Sequence, residues 1–177
     1  IKMLHIGGIM SYILAESLVF LFYLVAVLFS TNNHSQRSGD GLLYASTILF
    51  AIMVSFLCYF AATDTYQDID RMRDEINLSK IYGLSYLNTL YSLNPGSIAI
   101  MLPSYVTGDM NLMKAVSGFI SMICFFSIPV LEYRENLISK LPFVFSIIAV
   151  YLLFPLITSV FGVRAIVATS ITVFGLY

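Results

Sequence analysis

Long stretches without a charged residue alternate with short polar segments along the chain. No Asp, Glu, Lys or Arg occurs from Gly41 to Thr63, from Ala115 to Leu131, or from Leu141 to Val163. A helix of ~20 apolar residues crosses the ~30 Å hydrocarbon core of a bilayer. The pattern therefore predicts membrane spans at about 8–30, 41–62, 112–131 and 141–160, with a further span from 161 to 177 and onward.

A polar segment at 63–111 separates the second and third predicted spans. Its apolar positions recur every three or four residues, at Tyr66, Ile69, Met72 and Ile76, which is typical of a helix with one apolar face. Asp68, Arg71 and Glu75 fall on the opposite face, at spacings that suit ion pairs within a helix. This pattern predicts an amphipathic helix that lies at the membrane interface.

The second half of the polar segment allows two interpretations. Ile81, Leu84, Leu87 and either Leu90 or Tyr91 would share one side of a helix over 81–93. The whole of 81–102 is uncharged and is therefore open to interpretation as a broken span. Its polar residues, the turn signal Asn94-Pro95-Gly96-Ser97 and the break at Pro103 favour an interfacial or re-entrant segment.

Composition supports the membrane interpretation. The chain is 59% hydrophobic and 11% charged, with a mean hydropathy of +0.88, values outside the range of soluble domains. We therefore expect an all-α, polytopic membrane helix bundle with amphipathic interfacial helices in one extracytoplasmic loop. Residues 1–177 are expected to form a single transmembrane domain of a longer protein, because the chain begins at Ile1 and ends inside an apolar run.

The remaining composition excludes several function classes. A net charge of −1 provides no basic field for nucleic acid. Cys58 and Cys124 both lie in apolar runs and are expected to be buried thiols, and the cysteine spacing suits no metal. Basic residues are denser in the turns at 31–40 and 132–140 than in 62–111, which favours cytoplasmic turns and an outer location for the polar segment and Arg164.

Three short motifs, in order, resemble those of one known family. Ala62-Thr63-Asp64-Thr65-Tyr66 resembles a Gly-Thr-Asp motif at the end of a span, 81–88 resembles a Gly-aromatic-Leu-Leu-Asn pattern, and 161–168 resembles a Gly-Ile-Arg-x-Ala-x-Ala signature. From about Ala62 to Tyr177 the chain thus resembles the Wzy-like O-antigen and exopolysaccharide polymerases. It departs from them in three ways: no Arg precedes Thr63-Asp64, Ile81-Tyr82 replaces a Glu-Pro, and 94–108 resembles an insertion.

The resemblance implies an activity, a location and partners. Such polymerases join oligosaccharide repeat units carried on undecaprenyl pyrophosphate, by glycosyl transfer at the outer face of the bacterial cytoplasmic membrane. The expected partners are the lipid-linked oligosaccharide, membrane lipids and, as a candidate, a chain-length regulator, and no metal or other cofactor is expected. The protein would be a multi-pass protein of the inner membrane.

The resemblance also assigns candidate catalytic residues. Arg164 would bind the departing pyrophosphate, since an arginine at a helix start is suited to phosphate, although a boundary arginine can also simply reach toward the headgroups. Asp64 would orient or deprotonate the accepting hydroxyl, and its alternative role is a helix N-cap.

Candidate substrate-binding residues follow the same logic. Arg71 and Arg73 would hold the second lipid's pyrophosphate or acidic sugars, and the alternative is surface ion pairing with Asp68, Asp70 and Asp74. Tyr66 and Tyr86 would stack on sugar rings, although tyrosines are common at any membrane interface.

Glu16 supports a competing hypothesis. A carboxylate inside a span is a functional candidate, although a position near the end of the span also permits a hydrated rim. Its expected partner is Arg164 or a tyrosine hydroxyl. If Glu16 lies on an ion path, the chain is a non-enzymatic membrane protein, either a transporter component or a scaffold, and the acidic helix is a docking surface.

Overall fold

The protein folds as an assembly of helices. The structure, a computed structural model, describes residues 2–32, 36–61, 67–92, 95–153 and 163–177. Within these ranges it contains eight helices and no strand, which confirms the all-α fold class. The helices are α1 (Lys2–Asn32), α2 (Gln36–Phe60), α3 (Gln67–Tyr82), α4 (Leu84–Leu90), α5 (Pro95–Thr107), α6 (Asn111–Arg134), α7 (Lys140–Leu153) and α8 (Val163–Leu176).

In the described part of the chain, three helices are long and apolar enough to cross a membrane. They cover Ser11–Asn32, Gly39–Phe60 and Asn111–Arg134, at the positions of three predicted spans. Large apolar side chains cover the outer faces of α1 and α2, among them Leu14, Leu18, Phe22, Phe29, Leu49 and Phe56. Contiguous apolar surface of this kind is rare on water-soluble monomers. Helix length and exposed surface together indicate a membrane protein.

For two other predicted spans, the described helices are shorter than a membrane span. For the prediction at 141–160, α7 extends from Lys140 to Leu153 and the rest lies outside the described residues. For the prediction from 161 onward, α8 covers Val163–Leu176. Each of these helices has 14 residues, about two thirds of the length needed to cross a bilayer.

The predicted turn before the second span is in part helix. The turn was expected at 31–40, but α2 begins at Gln36 and continues through Gly39 and Gly41. Each glycine costs a helix roughly 1 kcal/mol relative to alanine. Burial of Leu43, Phe50 and Val54 in the core offsets that cost.

Where it is described, the polar segment forms three helices, α3, α4 and α5. Burial of Ile69, Met72 and Ile76 confirms the apolar face of α3, while the fourth predicted position, Tyr66, lies outside the described residues. The prediction of one helix over 81–93 was wrong. Gly83 has a φ of 84° and separates α3 from α4, and Ile81 is 74% exposed.

The predicted turn at 94–97 is for the most part helix, because Pro95, Gly96 and Ser97 belong to α5. Pro95 begins α5. This position suits proline, because N–H groups in the first turn of a helix have no intrahelical acceptor and the missing N–H of proline therefore costs no hydrogen bond. The helix passes through Pro103 and ends one turn later at Thr107. Because α4 and α5 are separate helices of 7 and 13 residues, 81–102 is not one continuous span.

Chain directions define the two ends of the bundle. The Tyr12 hydroxyl donates to the carbonyl of Phe60, so α1 and α2 are antiparallel. The Ser55 hydroxyl donates to the carbonyl of Ala115 over 2.7 Å, and Arg134 contacts Tyr44, so α6 is antiparallel to α2. We call the end with Phe60 and the start of α6 the α3 end, because α3 packs there. The opposite end contains the α1–α2 and α6–α7 turns.

An aromatic cluster links the long helices in the core. The rings of Tyr23 and Phe50 stack with centroids 4.6 Å apart, and Phe126 meets Phe50 edge-on at 4.9 Å. Phe20 stacks on Tyr151 of α7 at 3.7 Å. Aromatic contacts therefore join four helices, α1, α2, α6 and α7.

Candidate functional site

Lys114 is the most deeply buried cation among the described side chains. It lies in the first turn of α6 and is only 3% exposed. Its ammonium donates a hydrogen bond of 2.6 Å to the carbonyl of Ala61, the residue that follows α2. A cation is favourable at the carbonyl end of a helix, where the dipole is negative. Lys114 therefore stabilises the end of α2 and joins it to α6.

Asp109 lies beside Lys114, just before α6 begins. Its carboxylate accepts hydrogen bonds from the Tyr59 hydroxyl and from the backbone N–H of Asn111, the latter over 2.9 Å. These two bonds, with help from the nearby charge of Lys114, hold the pKa of Asp109 below its ordinary value. A carboxylate also complements the positive end of the α6 dipole. Asp109 is therefore an anion in the folded protein at neutral pH.

The two predicted arginines of α3 both form ion pairs. Arg73 contacts Asp70 at 3.2 Å, with both side chains substantially exposed, and Arg71 donates from Nε to Glu75 at 2.9 Å. The exposed pair of Arg73 and Asp70 is of a kind that contributes little to stability. Arg73 also lies close enough to Lys114 for their charges to repel. Substrate binding by Arg71 and Arg73 stays a prediction.

Glu75 does not lie on the solvent-exposed face of α3, although the spacing of the charged residues predicted that position. It is 7% exposed and accepts a hydrogen bond from the Tyr91 hydroxyl in addition to the one from Arg71. The burial of Glu75 could have been predicted from helical spacing, because Glu75 is three residues from Met72 and therefore falls on the same buried face of α3. The hydrogen bond to Tyr91 joins α3 to the residue that follows α4.

The start of α8 lies at the α3 end. The Cys124 thiol pairs with the Ser170 hydroxyl, and Tyr177 lies within electrostatic range of Glu132 and Glu135. Hence α8 runs parallel to α6, and its first residue, Val163, lies toward the start of α6. In agreement, α3 contacts α8.

Three predicted site residues lie wholly or partly outside the described residues. Asp64 and Tyr66 fall between 62 and 66, beyond the described part of the chain. Arg164 belongs to the first turn of α8, but its side chain is not described. Their catalytic and binding roles stay predictions. Tyr86 is described: it is half-buried on α4, and its ring lies 5.9 Å from that of Tyr82 across Gly83.

Glu16 is buried in α1. It is 7% exposed, which makes the hydrated-rim alternative wrong. Its carboxylate lies within electrostatic range of the Cys58 thiol and the Tyr151 hydroxyl, and Lys114 is also within range of Cys58. A tyrosine hydroxyl was one of the two expected neighbours. The interior of the bundle thus contains an acidic and a basic side chain at the same end.

Lys114, Asp109 and Tyr59 were missed by sequence reasoning. Lys114 is the last charged residue before an apolar run, a position that usually marks the edge of a span. Asp109 and Tyr59 are 50 positions apart in sequence, and their pairing arises only from the antiparallel packing of α2 and α6. Within the described part of the chain, no group of three or more His, Cys, Asp or Glu residues could hold a metal ion.

The chain matches no protein-family model, no curated protein and no solved structure. The features of the chain that bear on function are therefore the three motifs and the geometry of the α3 end.

Proposed function

We propose that the protein is a membrane glycosyltransferase that polymerises oligosaccharide repeat units carried on undecaprenyl pyrophosphate into a surface polysaccharide. One observation supports the proposal: the described helices that border the three family-like motifs in sequence converge at the α3 end. The first motif follows Ala61 at the end of α2, the second surrounds Gly83 between α3 and α4, and the third includes the start of α8.

The proposed chemistry needs positive charge at this end. The accepting hydroxyl attacks the anomeric carbon of the growing chain, and the bond from that carbon to the pyrophosphate oxygen breaks. The electron pair leaves with the lipid pyrophosphate, and the hydroxyl proton passes to a base, which we propose is Asp64. Negative charge that develops on a leaving group is stabilised by preorganised cations and N–H donors.

Several cations support pyrophosphate binding at the α3 end. Arg71 and Arg73 lie on α3, and the ammonium of Lys80 is close to Gly108. Arg164 follows Val163 at the start of α8. Arginine binds phosphate oxygens through two parallel N–H donors. In this proposal Arg164 contacts the departing pyrophosphate and the arginines of α3 hold the second lipid.

The location and orientation are part of the proposal. The exposed apolar faces of α1 and α2 suit contact with lipid tails, and a polyprenyl carrier would approach along the same surface. In a bacterial inner membrane, the α3 end would face outward and the opposite end the cytoplasm, as the distribution of basic residues favours. The chain would then cross the membrane several times.

Complementation tests the proposal. A strain that lacks the gene for this chain receives wild-type, Arg164→Ala, Asp64→Asn or Asp74→Asn alleles, and its surface polysaccharide is resolved by length on gels. We expect the first two variants to lose long polymer at normal membrane abundance. The matched control Asp74→Asn, at an exposed position of α3, should retain it. Normal polymer from both Arg164→Ala and Asp64→Asn would contradict the proposed mechanism.

A second function is favoured by one specific observation. Glu16 and Lys114 are both buried in helices long enough to span a membrane, and buried charges in such helices often mark an ion path. A transporter component would therefore depend on Glu16 and not on Arg164. Loss of function in Glu16→Gln, combined with normal function in Arg164→Ala, would favour transport over polymerisation.

A further inference from the structure

A cavity of about 540 Å³ lies at the opposite end of the bundle from the proposed active site. It is formed where α1 ends, α2 begins and α6 turns toward α7. The lining includes Ser30, Thr31, Asp40, Tyr133, Arg134 and Ser139. Its volume is within the range of roughly 300–1,000 Å³ typical of small-molecule sites.

The position of the cavity matches the headgroup layer of a membrane. All three helices that could span a bilayer have a boundary there: one ends at Asn32, one begins at Gly39 and one ends at Arg134. Residues at the ends of spans lie at the depth of lipid headgroups. A molecule in this cavity is therefore next to headgroups rather than to lipid tails or bulk water.

Arg134 provides the cationic side of the cavity. Its Nη1 donates to the Tyr44 hydroxyl over 3.1 Å, and its guanidinium carbon lies 5.6 Å from the centre of the Tyr44 ring. These contacts fix the orientation of the guanidinium while other N–H donors remain available. A fixed guanidinium is well suited to two phosphate oxygens.

Asp40 provides an anionic group in the same lining. Asp40 and Arg134 attract each other, but in the described part of the chain no ion pair joins them. Ser30 and Thr31 of the lining donate their hydroxyl protons to carbonyls of their own helix, over 2.7 and 3.0 Å, so toward a ligand these oxygens can only accept. Acceptors beside a carboxylate suit a ligand ammonium that carries N–H donors.

We propose that this cavity binds the headgroup of phosphatidylethanolamine, with the phosphate at Arg134 and the ammonium at Asp40. The lining contains one group of each sign, as the zwitterionic headgroup does. Phosphatidylglycerol would bring its phosphate to Arg134 but provide no cation for Asp40. Phosphatidylcholine has a quaternary nitrogen without N–H donors, so it cannot donate to Asp40 or to the serine and threonine oxygens.

Native mass spectrometry of the purified chain in mixed micelles tests the proposal. The micelles contain equal amounts of phosphatidylethanolamine, phosphatidylglycerol and phosphatidylcholine, and the lipids that remain bound are counted. We expect phosphatidylethanolamine to dominate in the wild type. Arg134→Gln should reduce its binding by about tenfold, because the charge-assisted hydrogen bonds are lost. Asp40→Asn should reduce it as well and raise the share of phosphatidylglycerol.

Two controls separate the proposal from its alternatives. Glu135→Gln removes an exposed charge in the same turn without altering the lining and should bind like the wild type. Free phosphoethanolamine should displace the lipid only weakly if the intact lipid is the ligand. Equal retention of the three lipids by the wild type would overturn the proposal. So would wild-type selectivity in Asp40→Asn, a readout that holds even if Arg134→Gln fails to fold.

Discussion

The crossing of α2 and α6 depends on the absence of a side chain at Gly118. A Cβ atom at this position would lie 2.6 Å from Sγ of Cys58 and 3.3 Å from its Cβ, with Cα of Ser55 at 3.7 Å. Cys58 is fully buried, so its thiol has no solvent to move into. Small residues at helix crossings are typical of membrane bundles because they let backbones approach closely. Gly118→Ala should therefore push the two helices apart.

The expected cost follows from two opposing terms. Overpacking a buried site costs about 1–3 kcal/mol, while replacing glycine by alanine inside a helix returns about 0.5–1 kcal/mol. The net destabilisation should lie in the range of about 0–2.5 kcal/mol, in its upper half because the contact of 2.6 Å is with a buried atom. Gly41→Ala is the matched control in α2, because a Cβ added there would meet no atom within 4 Å. That variant should be as stable as the wild type or slightly more so.

Reversible unfolding by sodium dodecyl sulfate in mixed micelles, followed by circular dichroism, measures these free energies. The double variant Gly118→Ala/Cys58→Ala removes the clashing sulfur and should recover about 1 kcal/mol or more relative to the sum of the single variants. Equal stability of Gly118→Ala and Gly41→Ala would refute the close crossing. A double variant whose effects simply add would show that Cys58 is not the contact.

Three further predictions concern contacts at the α3 end. Lys114→Met removes the donor to the Ala61 carbonyl and should destabilise the protein by about 1–3 kcal/mol in the same unfolding assay, because a buried acceptor is left unpaired. Tyr91→Phe removes the donor to Glu75 and should increase protease cleavage between α3 and α4, with unfolding of α1 and α2 unchanged. Because folding lowers the pKa of Asp109, its contribution to stability is present above the unfolded pKa of ~3.9 and is lost as pH falls through the lower folded value. Asp109→Asn should therefore lose less stability than the wild type between roughly pH 5 and pH 3.

Each of these predictions has a contradicting result. Wild-type stability of Lys114→Met would show that the bond to Ala61 contributes nothing net, as can happen when a buried charge has a large desolvation cost. Unchanged proteolysis of Tyr91→Phe would show that packing of Leu87 is sufficient to hold α4. Identical acid profiles for Asp109→Asn and the wild type would show that folding does not lower the pKa of Asp109.

The sequence was sufficient to predict the elements that a local pattern of residues controls. Charge-free runs located two of the long apolar helices, α2 and α6, and a run whose one charged residue is Glu16 located α1. The spacing of Ile69, Met72 and Ile76 identified the buried face of α3. Both signals arise from hydrophobic burial, which acts on every residue of a helix face in the same way.

Features that depend on distant contacts could not be predicted from the sequence. The glycines near Asp40 resemble a turn, but packing of α2 against α1 and α6 outweighs their local preference. Pro103 likewise suggests a helix end, yet buried neighbours such as Met101 keep α5 helical for another turn. The contact between Tyr59 and Asp109 joins positions that no local pattern relates.

The most direct test of the proposed function is polymerisation by the purified protein. The product of the intact gene, in detergent micelles, is incubated with a lipid-linked repeat unit, and both the saccharide products and the released undecaprenyl pyrophosphate are measured. We expect the wild type to form a ladder of oligomers and to release one lipid pyrophosphate for each new linkage, and Arg164→Ala, at normal folded yield, to form neither. A full ladder from Arg164→Ala, or none from a folded wild type, would contradict the proposal.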